Sequence, residues 1–327
     1  MAAVKLIRFK VPCAVRRGLS VAVAVALLGG LLASVHEHRG SVAAAVGNVS
    51  WTSLLVAALL HLVTIVARSE AWAVSVDAAG ARLGRRSIYQ VASLGFAANA
   101  LAPSLGTALR IWALRIKVRG EAIPVSTLVA TEVPVLAMQG LVTASMSISL
   151  LAPLSAPWWI APCLLAAVGV AVAALARIAR RSGGPFRGLA ALRTGRTRRR
   201  ILAMVICVAA CETARNLVLL RAVGLHAGPF DAMALLVGAG VIGVLPLGPG
   251  SSAGAAMLIF GAAGVGPAAA AGLLLTATGF AADLAYAAWG AGDMLWRSCP
   301  VRARRLPRLV DLGAAVCLAG FTAVLLG

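Results

Sequence analysis

Apolar residues in this chain come in long blocks, without the alternation of a half-buried strand or the three-and-four spacing of a water-facing helix. Seven blocks approach or reach the length of a bilayer crossing: about 18–35, 51–67, 123–151, 158–176, 201–220, 267–296 and 309–326. A hydrocarbon core of about 30 Å needs about 20 helical residues. Two further blocks are interrupted. In 231–264, DAMALLVGAGVIGVLPLGPGSSAGAAMLIFGAAG, the apolar run stops at Leu245-Pro246-Leu247-Gly248-Pro249-Gly250 and restarts at Ser251-Ser252. Each arm has roughly 14 residues or fewer, too short to cross. Proline lacks the amide proton and clashes with the preceding turn, so one continuous helix is not expected. The other interrupted block, 87–118, has an apolar arm that ends in the stretch from Asn99 to Pro103 and Gly106 and restarts near Thr107. Both blocks predict re-entrant hairpins. Such backbone is tolerated at membrane depth only where protein buries it or water lines it.

Charge fixes how these elements face. The chain has 327 residues, 61% of them hydrophobic, with a mean hydropathy of +0.94, which excludes an ordinary soluble domain. Thirty Lys and Arg against ten Asp and Glu give +20. In a membrane protein this excess belongs to cytoplasmic loops and anionic head groups, not to nucleic acid. With the N-terminus inside, 27 of the 30 basic residues face the cytoplasm; Arg39, Arg215 and Arg221 do not. Residues 1–17 are then a basic cytoplasmic segment, followed by a retained first helix and not a cleaved signal peptide. The first hairpin has basic residues on both flanks and enters from the cytoplasm, the second enters from outside, and the C-terminus ends outside. The arginine-rich loop 177–200 is chiefly a topology determinant, with lipid contact at 193–200 as a second reading.

The order repeats. Pro103 and Pro246 are 143 positions apart, and the spans at 51 and 201 are 150 apart. Each half reads span, span, broken hairpin, span. The expected fold is all-α and polytopic: a first unit at 18–157 with the hairpin 87–118, a second at 158–296 with the hairpin 231–264, and a basic loop with a final helix at 297–327. Interrupted segments at matching places in two inverted halves mark a transporter's binding site.

Ionisable residues inside spans are costly and are functional candidates. Glu212 and Arg215 are spaced to pair on one helix, with Asn216 alongside. Glu132, two residues before Pro134, and Asp283 have no partner nearby in sequence, so each must reach across helices to Arg110, Arg215 or water, or stay protonated. Arg110 follows the first break and suits a phosphate. Ser251, Ser252 and the amides from Gly250 would open the returning half-helix, an anion-binding arrangement; a turn capped by its own hydroxyls is the plainer reading. Thr107 is the counterpart in the first hairpin. His61 reads as a satisfied buried histidine, and His36 and His38 as a loop pair. Trp51, Trp158, Trp159 and Trp296 read as interfacial anchors. Six scattered cysteines define no disulfide framework and no metal site. There is no nucleophile elbow, P-loop or dinucleotide fingerprint. No enzyme activity and no cofactor is expected.

Asn99-x-Leu-x-Pro103-x-x-Gly106-x-x-x-Arg110, followed by Leu245-Pro246-x-x-Pro249-Gly250-x-x-x-Gly254, resembles the lysylphosphatidylglycerol synthase transmembrane-region family over about 18–300. The resemblance is to stand-alone members without the aminoacyltransferase domain. It implies a flippase-like protein of a bacterial cytoplasmic membrane that moves a polar lipid head group, of a phospholipid or a polyprenyl lipid, between leaflets. Thr107 and Ala255-Ala256 stand where the family usually carries acidic residues, which leaves Glu132, Glu212 and Asp283 as the available acids. The expected binding set is therefore Asn99, Pro103, Gly106, Thr107, Arg110, Glu132, Glu212, Arg215, Pro249, Gly250, Ser251, Ser252 and Asp283. The rival readings are an integral-membrane transferase acting on lipid-linked aminoacyl or sugar groups, and a non-transporting membrane subunit.

Overall fold

A computed structural model describes residues 36–81, 83–101, 103–117, 124–151, 157–181, 184–242 and 251–298. The spans expected at 18–35 and 309–326, and Pro249 and Gly250 at the second hairpin tip, lie outside them. Among the described residues every regular element is helical. The chain is an all-α polytopic membrane protein, with five helices long and apolar enough to cross a bilayer.

In chain order the helices are α1 (Arg39–Gly47), α2 (Trp51–Ala78), α3 (Arg85–Leu101), α4 (Pro103–Lys117), α5 (Val125–Ala130), α6 (Glu132–Met146), α7 (Ile160–Arg181), α8 (Gly195–Ala222), α9 (Pro229–Ile242), α10 (Ser251–Phe260) and α11 (Val265–Ser298). α2 and α8, each 28 residues, pack most closely and form the centre of the bundle.

Both predicted hairpins are present, each starting two residues earlier than expected. α3 and α4 lie antiparallel: Gly95 approaches the carbonyl of Gly106 and the Arg110 side chain, and Gly106 sits against Asn99. A side chain at Gly106 would collide with Asn99, which is why only glycine fits there. In the second hairpin Gly238 of α9 faces Ala255 and Ile259 of α10. The arms have 14 and 10 residues, so neither crosses alone.

The hairpins enter from opposite ends of the bundle. The base of the first is tied to the C-terminal ends of α2 and α11. Arg85 pairs with Asp77 at 3.0 Å and with Glu70 at 3.5 Å, Arg86 pairs with Asp293, and Gln90 donates to Asp293 and accepts from Lys117. The base of the second lies in an apolar cluster with the N-terminal parts of the same two helices, where Leu220, Val223 and Phe260 join Ala57, Ala268 and Ala269. Corresponding helices also keep register: α2 and α8 start 144 positions apart (51 and 195), as do α3 and α9 (85 and 229).

Three local expectations need correction, and one span gains a local detail. The loop after position 36 contains α1, whose Val42 and Ala45 are buried; α1 packs along α11, and Ser41 touches Gly266. α2 runs eleven residues past position 67, so Arg68 is inside a helix and not at the head of a loop. The third span is present as expected, over Val125–Leu150, and is one of the five crossing helices, but it holds a one-residue turn. Thr131 separates α5 from α6, because Pro134 offers no amide to the carbonyl of Ala130. The arginine-rich segment is not simply a solvated loop: Gly184–Leu192 forms a 3₁₀ helix with Leu189, Ala191 and Leu192 buried.

Candidate functional site

The central helix α2 carries His61, Arg68 and Trp72, spaced seven and four apart and so on one stripe of the helix. α8 brings Glu212, Arg215 and Asn216 to the facing side, and α11 brings Thr278 and Asp283. Ionic groups this deep in a bundle persist when they pair with one another.

His61 is the hub. Its Nδ1 lies 2.9 Å from Glu212 Oε1, and its Nε2 lies 3.7 Å from Asp283 Oδ1. Arg215 donates from Nη1 to Glu212 Oε2 at 3.0 Å, and Nη1 is also 3.0 Å from His61 Nδ1. Arg215 Nη2 donates to Thr278 Oγ1 at 3.1 Å and to the Leu275 carbonyl. Thr278 in turn donates to the Leu274 carbonyl at 2.7 Å. Gly279 makes room for this packing, since a Cβ there would lie 3.0 Å from Arg215 Nη2. Asn216 donates to the Ala232 carbonyl at 3.1 Å and so ties α8 to the second hairpin. Arg215 and Glu212 are 5% and 7% exposed, so each needs the other to offset its desolvation.

Beside this cluster is a cavity of about 400 Å³, the size of a small-ligand site. Its polar lining comes from Arg68, Gln139, Thr143, Glu212, Arg215, Asn216 and Ser252, drawn from α2, α6, α8 and α10. Ser252 is the second residue of α10, so a half-helix N-terminus meets the cavity. Arg68 makes no hydrogen bond or ion pair among the described residues, and its Nε is buried without a partner. It lies within electrostatic reach of both Glu212 and Arg110.

Arg110 and Glu132 form a second locus. Arg110 Nη2 donates to Glu132 Oε2 at 2.7 Å, and the guanidinium lies over the Trp72 ring, 4.7 Å from its centroid. Trp72 donates to Thr131 Oγ1 at 3.3 Å, at the break between α5 and α6. Arg110 Nε and Glu132 Oε1 are buried and unpartnered. Arg68 thus stands between two ionic groups, the pair Arg110 with Glu132 and the cluster around His61.

The expected binding residues therefore fall into separate groups. Glu212, Arg215 and Asp283 come together through His61; Arg215, Glu212 and Ser252 face the cavity; Arg110 and Glu132 pair apart from it. Asn99, Gly106 and Thr107 stay at the first hairpin, where Asn99 and Thr107 are exposed. Pro103 and Ser251 open α4 and α10. Sequence reading assigned no functional role to Arg68, Gln139 or Thr143. It also gave His61 no ionic partners, because these lie 151 and 222 positions away (212 and 283 against 61). The seven-residue interval between His61 and Arg68 was the available signal. No protein-family model matches the chain, and no curated protein matches it.

Proposed function

We propose that the chain binds a lipid with an anionic head group in the cavity between α2, α6, α8 and α10 and moves that head group between leaflets. The observation that carries this reading is Arg68, an intramembrane cation with no hydrogen-bond partner among the described residues, facing a polar cavity. A phosphate would give it the partner it lacks. Two further features support an amphiphile over a free ion. The cavity shares Val142, Met146 and Ala209 with an apolar groove of about 800 Å³ that also touches Leu165, Ile206 and Leu217. A head group in the cavity can therefore leave its chain in an apolar channel. Interrupted hairpins entering from opposite ends fit alternating access around a site between them.

On the positive-inside rule the described bundle carries its arginine-rich end toward the cytoplasm of a bacterial cell, with the first hairpin entering from that side. The resemblance to lysylphosphatidylglycerol synthase transmembrane regions leads to the same function, for a phospholipid or a polyprenyl phosphate. We assign no chemistry of bond making to the site.

Proteoliposomes carrying head-group-labelled phosphatidylglycerol, phosphatidylcholine or a polyprenyl phosphate test this by quenching the label from outside. Faster loss of the protected fraction is expected for an anionic lipid, with Arg68→Gln slowing it at least tenfold. Rates equal to those of protein-free vesicles for every lipid, or an unaltered Arg68→Gln rate, would refute it.

A further inference from the structure

The two ring nitrogens of His61 face carboxylates from different helices, Glu212 on α8 and Asp283 on α11. Hydrogen-bond directions restrict how such a ring is protonated. Glu212 accepts from Arg215 through Oε2 and leaves Oε1 for His61 Nδ1. Nδ1 also lies 3.0 Å from Arg215 Nη1, which only donates, but Nη1 already donates to Glu212 Oε2; a proton on Nδ1 meets the shorter contact to Oε1, and Glu212 then orients the ring much as a carboxylate fixes the tautomer of a catalytic histidine. This leaves Nε2 pointing at Asp283 Oδ1, a buried oxygen without a hydrogen-bond partner among the described residues. A bare Nε2 lone pair facing an ionised carboxylate is repulsive. One proton between them converts the contact to attraction.

We propose that His61 Nε2 and Asp283 share one exchangeable proton, and that an anionic group entering the cavity raises the affinity for it. The second half rests on the cavity being an anion site. The charge count motivates the link. With His61 neutral, the carboxylates of Glu212 and Asp283 balance the guanidiniums of Arg215 and Arg68; these are the charged groups that α8, α11 and α2 itself bring to the ring and the adjoining cavity. A bound monoanion makes the group negative by one, and a proton taken from water onto the Nε2 lone pair restores neutrality. No other bond changes. Glu212 and Arg215 carry the effect, because each touches His61 on one side and lines the cavity on the other. Linkage is reciprocal, so protonation tightens anion binding by the same factor. Anion transport would then be coupled to protons.

The test uses full-length protein in which His36, His38 and His226 are Gln, so that His61 is the sole histidine, labelled with nitrogen-15 in lipid nanodiscs. Nitrogen shifts are followed from pH 5 to 9 in phosphatidylcholine alone and with added phosphatidylglycerol. Native mass spectrometry reads phosphatidylglycerol binding separately. Expected are a neutral form protonated at Nδ1, an Nε2 midpoint at least one pH unit lower in Asp283→Asn, and a midpoint raised by phosphatidylglycerol. An Nε2-protonated neutral form, or a midpoint indifferent to Asp283→Asn, would overturn the shared proton. Phosphatidylglycerol that binds and is lost in Arg68→Gln, yet leaves the midpoint in place, would overturn the coupling alone. Failure of phosphatidylglycerol and of a polyprenyl phosphate to bind at all would overturn the cavity reading and the coupling with it, while the Asp283→Asn comparison would still decide the proton.

Discussion

Arg110 and Glu132 give the most direct test of the energetics, because the two residues join the first hairpin to the start of α6. Their side chains are 16% and 14% exposed and meet at 2.7 Å, with Glu132 Oε1 and Arg110 Nε already unpartnered. Glu132→Ala leaves the guanidinium with only the face of Trp72, a contact that contributes about 0.5–2 kcal/mol. Breaking a buried pair from one side costs about 3–5 kcal/mol, most of it from stranding the other charge. Arg110→Met strands the carboxylate and is expected to cost a similar amount. The double variant Arg110→Met/Glu132→Ala strands neither charge, so its loss should be smaller than the sum of the single losses by about 2 kcal/mol or more, the upper range of coupling energies for residues in contact. Unfolding free energies in mixed micelles, measured for all four members of the cycle, give the coupling directly. Additive losses, within about 0.5 kcal/mol, would refute the view that these residues are held by one another.

Three further predictions concern packing and charge. Gly272→Ala should destabilise the protein by about 1–3 kcal/mol in the same unfolding assay, because the new methyl falls on the backbone of Ala253 and must push α10 away from α11. Gly279→Ala should lower anionic-lipid transport more than it lowers stability, since its methyl lies 3.0 Å from Arg215 Nη2 and displaces a guanidinium that lines the cavity; equal wild-type transport would argue against that placement. Arg200→Ala is the control: its side chain is 55% exposed, and Glu70 keeps Tyr89 at 2.6 Å and Arg85 at 3.5 Å, so a stability change within about 1 kcal/mol is expected in the same unfolding assay.

The breaks were legible in the sequence because Pro103 and the glycine–proline run after Leu245 act on their own backbone, whatever surrounds them. Hydrophobic length placed the long helices but not all of their ends: α2 runs past position 67 and α8 begins before position 201. Pairings were not legible where the partner lies on another helix. Glu132 and Asp283 could each be told to need a cation, water or a proton, but His61 gave no local sign that it joins Glu212 to Asp283. Arg68 was misplaced for a different reason. It follows an apolar run of ordinary span length, and a charge there reads as the edge of the membrane; only the continued helix through Trp72 and Val76, both buried, puts it inside. The arm α1 and the 3₁₀ segment Gly184–Leu192 are short and were hidden by neighbouring polar and basic residues, though their apolar side chains are buried.

The two hairpins match in order and enter from opposite ends, but they are not held in the same way. α10 lies along α11 with backbones close enough that Gly272 admits no side chain, whereas α4 packs on α3 and only thinly on α5, with Asn99 and Thr107 left open. In an evenly built duplication, swapping the roles of the halves would produce two mirror conformations of equal energy. Here the close contacts with α11 fall on different arms, α10 at Gly272 and α3 at Gly290, so that degeneracy is lifted: arrangements in which the halves trade roles would differ in energy.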